Sequence, residues 1–215
     1  KSNPYANRDP RLAMSILTNN VEFKDRTIEA WTGGRDGKGV IHATRTGYYI
    51  YKFIDPNLDL LQNRTSVHHW VIMRYAEILL SYAEAMNEAY GPTGNVGYRL
   101  NAVRALNQVR NRVGVEMPAV PTAISKEELR EKIRNERRVE LAFEDHRFWD
   151  VRRWMIAPET LGAPLRGVEI TKISDEEFEY KPIEVEKRTF EPKMYLYPIP
   201  QADLNTTGWV QNPLW

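Results

Sequence analysis

The chain has 215 residues, and its 30 basic and 29 acidic side chains leave a formal charge of +1, so no bulk field draws it toward nucleic acid or an anionic bilayer. Cysteine is absent, which excludes a disulfide framework, thiolate metal sites and a cysteine nucleophile but assigns no redox compartment. The length supports one substantial core, and no apolar run approaches the roughly 20 residues that cross a bilayer.

Residues 1–66 read as a loop-rich segment with two or three short strands. Asn3-Pro4, Asp9-Pro10, Gly33-Gly34, Gly37, Gly39, Gly47 and Asp55-Pro56 punctuate short apolar runs. The opening Lys1-Ser2-Asn3-Pro4 is neither a signal peptide nor an initiator segment, so the sequence reads as a fragment. The aromatic and β-branched run 48–53 is the best strand candidate, and 12–17 suits a short helix or a strand.

Residues 67–215 read as a helical region with an irregular, partly β tail. Tyr75, Leu79, Tyr82, Met86 and Ala89 recur at helical spacing and predict a helix over 67–90, which Gly91-Pro92 stops. A second helix is expected over 96–113, with Tyr98, Ala102, Ala105, Leu106, Val109 and Val113 on one face and Gly114 at its end. Such a pair forms a hairpin that stacks like a tetratricopeptide repeat. One hairpin does not bury its own face, so further repeats are expected to precede it.

Ser125 and Glu128 form a capping box that opens a third helix, whose stripe runs Leu129, Ile133, Leu141, Phe148 with a bend near Asp145. After Pro158 turns and strands return, with rough alternation over 178–190 and an extended stretch over 194–200. The aromatic end, Gln211 to Trp215, is expected to be docked.

Between 126 and 153, 17 of 28 residues are charged, nine basic and eight acidic, a balance that favours ion pairs over a nucleic-acid footprint. Helical spacing pairs Glu128 with Lys132, Glu131 with Arg134, Arg137 with Glu140 and Glu144 with Arg147. Arg137, Glu140 and Glu144 share the apolar stripe, so a partly buried structural network of Arg137, Glu140, Glu144 and Arg147 is expected. The competing reading makes two of Glu136, Glu140 and Glu144 the acid/base pair of a glycosidase. Arginine neighbours depress a carboxyl pKa, the wrong direction for a general acid near neutral pH, and the structural reading is preferred.

Several landmarks occur in a familiar order: Asn7-Arg8-Asp9-Pro10-Arg11-Leu12, Thr46-Gly47-Tyr48-Tyr49 with Lys52-Phe53, the helix from Arg74 to Asn87, Ala105 to Arg112, Glu136 to Trp154, Tyr197-Pro198-Ile199-Pro200 and Gln211-Asn212-Pro213. Together they resemble the SusD/RagB-type outer-membrane nutrient-binding lipoproteins over nearly the whole chain. Departures fall in turns: Asp145 replaces a frequent Gly or Asn, Asp203 a usual Glu, Leu214 a common Gly, and Thr206-Thr207 lie near a usual Asn.

The resemblance implies a mainly α fold, the C-terminal part of a SusD-like α/α superhelix of tetratricopeptide-like hairpins with long loops and a few short strands. It implies non-catalytic glycan binding at the outer-membrane surface and delivery to a SusC-like TonB-dependent transporter. No cofactor and no nucleic acid are implied, and membrane attachment would be only through a lipid anchor on a missing N-terminal part. The alternative is a tetratricopeptide-type protein or peptide-binding module with no sugar role.

Glycan binders set aromatic rings against sugar faces and satisfy hydroxyls with polar side chains. Most aromatics here fall on helix stripes or in the landmarks. Trp31 does not: it precedes a Gly-rich loop in the 1–66 segment, which is expected to be ligand-facing, and Arg35, Asp36 and His42 can supply polar contacts beside it. These four are the candidate ligand-binding residues. The 33–39 loop lacks the spacing and terminal Ser/Thr of a phosphate loop. No His, Asp and Glu set has zinc-ligand spacing, and Asp55 and Asp59 read as turn residues before a cation site.

Overall fold

The computed structural model describes residues 3–215; the Lys1-Ser2 opening lies outside the described residues. Its elements in chain order are α1 (Arg11–Ser15), β1 (Ile16–Leu17), β2 (Glu22–Phe23), β3 (Arg26–Thr27), β4 (Tyr49–Ile50), α2 (Tyr75–Tyr90), α3 (Ala102–Arg110), α4 (Lys126–Glu140), α5 (His146–Arg153), α6 (Ala157–Thr160), β5 (Leu165–Lys172), β6 (Phe178–Glu186), a 3-10 turn (Pro192–Tyr195) and α7 (Gln201–Thr207). The described residues are mainly helical, with three separate two-stranded antiparallel ribbons, β1–β4, β2–β3 and β5–β6.

The helical core forms where α2 packs against both α3 and α4. Leu79, Leu80, Ala83 and Met86 of α2 meet Ala102, Val103, Leu106 and Val109 of α3 and Leu129 and Ile133 of α4. The small Ala83, Ala102 and Ala105, all fully buried, let the backbones approach closely. The α4 capping box is as expected: Glu128 N–H donates to Ser125 Oγ at 3.1 Å, and Ser125 N–H donates to Glu128 at 3.0 Å.

A second core joins the opening segment to the β5–β6 ribbon. Leu17, Ile28 and Ala30 pack with Ile170 and Phe178, flanked by Trp31, Tyr49, Tyr51 and Tyr180. Gly47 makes this junction possible: at φ +80 it lies where a Cβ would fall 2.6 Å from the Val168 carbonyl oxygen.

Several expected boundaries move. The helix predicted over 67–90 begins only at Tyr75. The β-branched and aromatic run Trp70-Val71-Ile72 gains little from helical packing and stays exposed, while Arg74, extended at φ −145 and ψ 160, is held by ion pairs to α4 and its following turn. His68 and His69 are therefore not on a helix. The helix predicted over 96–113 shortens to α3, because Val96 and Gly97 take positive φ and Asn101 caps the helix by accepting Arg104 N–H at 2.9 Å. Tyr98 and Val113, placed on its buried face, are exposed.

The 12–17 stretch is helix and then strand, and the 48–53 strand reduces to the pair in β4, which β1 matches residue for residue. Alternation over 178–190 ends at Glu186, and the extended stretch over 194–200 starts inside the 3-10 turn and leads into α7, which the sequence reading left as irregular. The bend near Asp145 is real, since residues 141–145 break the helix with Phe143 at φ 63 and Asp145 at φ 61. The terminus docks as expected, its Trp215 indole N–H shared between the Lys193 and Leu196 carbonyls at 3.0 Å each.

The tail is tied to α5 by Arg152. Its guanidinium lies 5.0 Å from the Phe148 ring, 5.6 Å from Phe190 and 5.2 Å from Tyr197, and it donates to the Met194 and Tyr195 carbonyls.

Candidate functional site

The charged helix is built as a scaffold. Arg11 of α1, 4% exposed, donates to Glu136 at 2.6 Å and to Glu140 at 2.9 Å, and its remaining donors go to Asp9. The second Glu136 oxygen accepts Arg110 at 2.6 Å. Glu140 also accepts Arg74 at 2.7 Å and Arg112 at 3.0 Å. Glu144 is forked by Arg74 at 2.6 and 2.8 Å and accepts the Lys52 ammonium at 2.5 Å. Each carboxylate oxygen of the three glutamates therefore has a cationic donor.

Burial favours the neutral acid at Glu140, but the hydrogen bonds from Arg74 and Arg11 and the charge of Arg112 outweigh it and hold the carboxyl below the usual glutamate range. Glu144 is held low in the same way, by Arg74 and Lys52 against its burial. A general acid for glycoside cleavage needs the opposite shift. The small cleft that Glu140 and Glu144 help to line is lined also by their own partners, Arg11, Arg74, Arg112 and Lys52.

Three of the four helical-spacing pairs are replaced. Arg137 binds Asp150 of α5 through two parallel bonds at 2.8 and 3.0 Å instead of Glu140, because the bidentate fork outcompetes a single contact one turn away. Glu144 does not meet Arg147, since the break at 141–145 takes them off a common helix. Arg147 instead faces Arg138, and burial together with that like charge lowers its pKa. Glu131–Arg134 forms at 2.9 Å, while Glu128 spends its carboxylate on the Ser125 cap rather than on an ion pair with Lys132.

The four candidate ligand residues lie on one loop but in different settings. Trp31 is half-buried: its ring packs on Phe178 with centroids 5.3 Å apart, and the Lys172 ammonium lies 5.1 Å from it. A Cβ at Gly34 would come within 2.8 Å of the indole, so the glycine lets the loop fold over its edge. Asp36 is clasped by Arg26 at 2.6 and 2.8 Å and accepts Glu29 N–H, and the Arg26 guanidinium lowers its pKa. Arg35 and His42 point their side chains into solvent. Asp55 and Asp59 are engaged in turns, accepting the N–H groups of Asn57, Leu61 and Gln62.

A cavity of about 510 Å³, with Phe178 in its lining, opens between the opening segment and the β5–β6 ribbon. The rings of Tyr5, Tyr51, Phe178 and Tyr180 line it, Tyr5 meeting Tyr180 edge-on at 5.5 Å. Asn7 and Asn20 supply amides, Glu22 and Glu176 carboxylates, and Arg8 a single guanidinium, while the buried Asn19 accepts Ala30 N–H at 3.0 Å and donates to the Tyr180 hydroxyl at 3.4 Å. The volume lies within the range of roughly 300–1,000 Å³ usual for small-molecule sites. This wall is not among the sequence-based candidates: Asn7 enters only within the Asn7-to-Leu12 landmark and Asn20 not at all, and both take positive φ. The available signal was Tyr5 with Asn3, Asn7, Asn19 and Asn20 on either side of the Arg8-Asp9-Pro10-Arg11 motif.

A helical hairpin packed on α4 and carrying a loop lobe with a polar and aromatic hollow defines a scaffold of the tetratricopeptide-like class. The chain belongs to the SusD family, whose model matches residues 1–215. A SusD-like protein from Bacteroides fragilis is 34% identical and superposes with a TM-score of 0.81 over 98% of this chain and 40% of its own. A SusD-like carbohydrate binding protein from the same species is 32% identical, with a TM-score of 0.75 over 95% of this chain and 42% of its own. SusD-like protein P2 of Formosa agariphila is 34% identical over 120 residues, which is 54% of this chain and 22% of that protein. The chain thus spans less than half the length of these relatives.

Proposed function

We propose that the chain serves non-catalytic glycan capture at the outer-membrane surface, as a lipid-anchored partner that passes ligand to a SusC-like TonB-dependent transporter. The observation that carries the reading is the cavity of about 510 Å³. Rings can cover the C–H faces of a sugar, while amides and carboxylates accept and donate to its hydroxyls. Family membership and the carbohydrate-binding relative support the same ligand class. The bonded state of Glu136, Glu140 and Glu144 favours binding without hydrolysis.

No residue of the 31–42 loop lines that cavity, and the loop is proposed as a separate ligand contact. Arg35 and His42 are its solvent-side contacts, held in place by the packing of Trp31 and the clasp on Asp36. Titration calorimetry against a panel of neutral polysaccharides tests the reading: a Tyr51→Ala variant, which opens the cavity wall, should bind at least about tenfold more weakly. Absence of binding to every member of the panel, or release of reducing sugar by the chain, would sink it. Copurification of a TonB-dependent transporter from outer-membrane extracts tests delivery.

A further inference from the structure

We infer that Asn19 is the positioning residue of a sugar-hydroxyl subsite inside the cavity, made by the hydroxyls of Tyr180 and Thr18; it rests on the glycan reading and deepens it. Thr18, Asn19 and Tyr180 all line the cavity, with Thr18 and Asn19 following directly on β1.

The surroundings of Asn19 fix which way its amide faces. Ala30 N–H can only donate, and it meets Asn19 Oδ1 at 3.0 Å. The nitrogen end is therefore turned to Tyr180 and donates to its hydroxyl oxygen at 3.4 Å. An amide nitrogen accepts nothing, so Tyr180 cannot return its own proton to Asn19. No other hydrogen bond engages that hydroxyl among the described residues, and the ring is held edge-on against Tyr5. The phenol proton is thus left for an acceptor in the cavity. Asn19 itself is 3% exposed, which makes it a brace for the contact rather than the contact.

Thr18 is an independent pointer to a ligand. It is 5% exposed, and its hydroxyl has no hydrogen-bond partner among the described residues. Buried hydroxyls nearly always find a partner, because an unmade bond leaves their desolvation uncompensated. Since Thr18 and Asn19 are buried by the loop lobe itself, their state does not depend on what packs against the outer surface. A phenol that must donate beside a hydroxyl that can donate or accept matches neighbouring hydroxyls of one neutral sugar ring, whose C–H face can lie against the rings of the wall.

Titration calorimetry with maltohexaose, cellohexaose and chitohexaose tests the assignment. Tyr180→Phe keeps the ring against Tyr5 and removes the donor. It should weaken whichever hexaose binds by roughly three- to tenfold at an unchanged melting temperature. Thr18→Val, equal in shape, should weaken it by a similar factor. Asn19→Asp still accepts Ala30 N–H but offers Tyr180 an acceptor, so the phenol proton turns inward and affinity falls as in Tyr180→Phe. Adding Asn19→Asp to Tyr180→Phe should then cost little further affinity, a coupling that a purely structural Asn19 would not show.

Wild-type affinity in both Tyr180→Phe and Thr18→Val overturns the subsite while leaving the glycan reading in place. Additive losses in the Asn19→Asp/Tyr180→Phe double variant overturn the positioning role. If none of the three hexaoses binds the unaltered chain, the subsite fails together with the glycan reading.

Discussion

Arg11 and Glu136 lie 125 residues apart in sequence, yet their charged atoms meet at 2.6 Å with both side chains almost wholly buried. Their contact fastens the loop lobe to the helices, and it is one strand of a mesh whose other ends are Lys52, Arg74, Arg110 and Arg112. Glu136→Ala would remove one of the acidic partners of Arg11, which keeps Asp9 and Glu140, and leave Arg110 with only the Pro118 carbonyl; breaking these buried pairs should cost about 3 kcal/mol of unfolding free energy, read from urea denaturation. A loss under about 1 kcal/mol would show that the mesh is solvated.

Acid should unfasten the same mesh. Glu140, Glu144 and Glu84 all have native pKa values held below the ordinary one, Glu84 by Arg153 and Trp154 against its own burial. A depressed native pKa means that the unfolded chain binds the extra proton first. Stability is therefore complete above the unfolded glutamate value of about 4.3 and falls as the pH drops through the native ones. Urea midpoints should be level from pH 7 to about 5 and decline below that; a decline centred near pH 6.5 would implicate histidine instead.

The helix break between α4 and α5 rests on a left-handed residue. Asp145 has φ 61, so glycine or asparagine should be accepted there with little change, whereas Asp145→Val should cost about 1–2 kcal/mol by thermal denaturation. Equal melting temperatures for Val and Gly would mean that the break is soft.

Arg152 should prove to be the clasp of the tail. Arg152→Met keeps the aliphatic stem but loses both carbonyl bonds and the three ring contacts, and should cost roughly 2–3 kcal/mol. Limited proteolysis should then cut near 187–197 before the helices are attacked; cleavage at the wild-type rate would refute the clasp.

Trp31 and its neighbours can be separated by measurement. Trp31→Ala removes the ring between Phe178 and Lys172 and should lower the melting temperature, at a cost of about 1–2 kcal/mol for a half-buried aromatic. Arg35→Ala/His42→Ala should leave the melting temperature in place and weaken glycan binding. Unchanged affinity in that double variant would remove the loop from the ligand face.

The elements legible in the sequence were those set by local chemistry. The Ser125–Glu128 box, the Gly91-Pro92 stop and the stripe through Leu79, Leu106 and Leu129 each declare themselves within a few residues. Asn101 as a cap and the Pro200 to Gly208 frame around α7 were present as signals, but apolar periodicity outvoted the first and the aromatic tail obscured the second. Helical spacing predicts a partly buried network of Arg137, Glu140, Glu144 and Arg147; Glu140 and Glu144 are held instead by distant cations, Arg137 turns to Asp150, and Arg147 stays outside. Spacing can nominate only neighbours on one helix, whereas Arg11, Lys52 and Arg74 arrive from distant segments. The cavity was the least legible part, because a wall made from residues 5–22 and 176–180 exists only once the ribbon has folded back.

Because Arg11 and Lys52 are both bolted to α4 and the turn after it, the stretch between them leaves and re-enters a fixed platform. Closing a loop on fixed ends costs only about 0.6 kcal/mol more for each doubling of its length. Within the stretch between those two bolts the exposed turn at 38–42 lies outside the second core, so insertions there are thermodynamically cheap, which makes this turn the natural place to graft new recognition onto an unaltered frame.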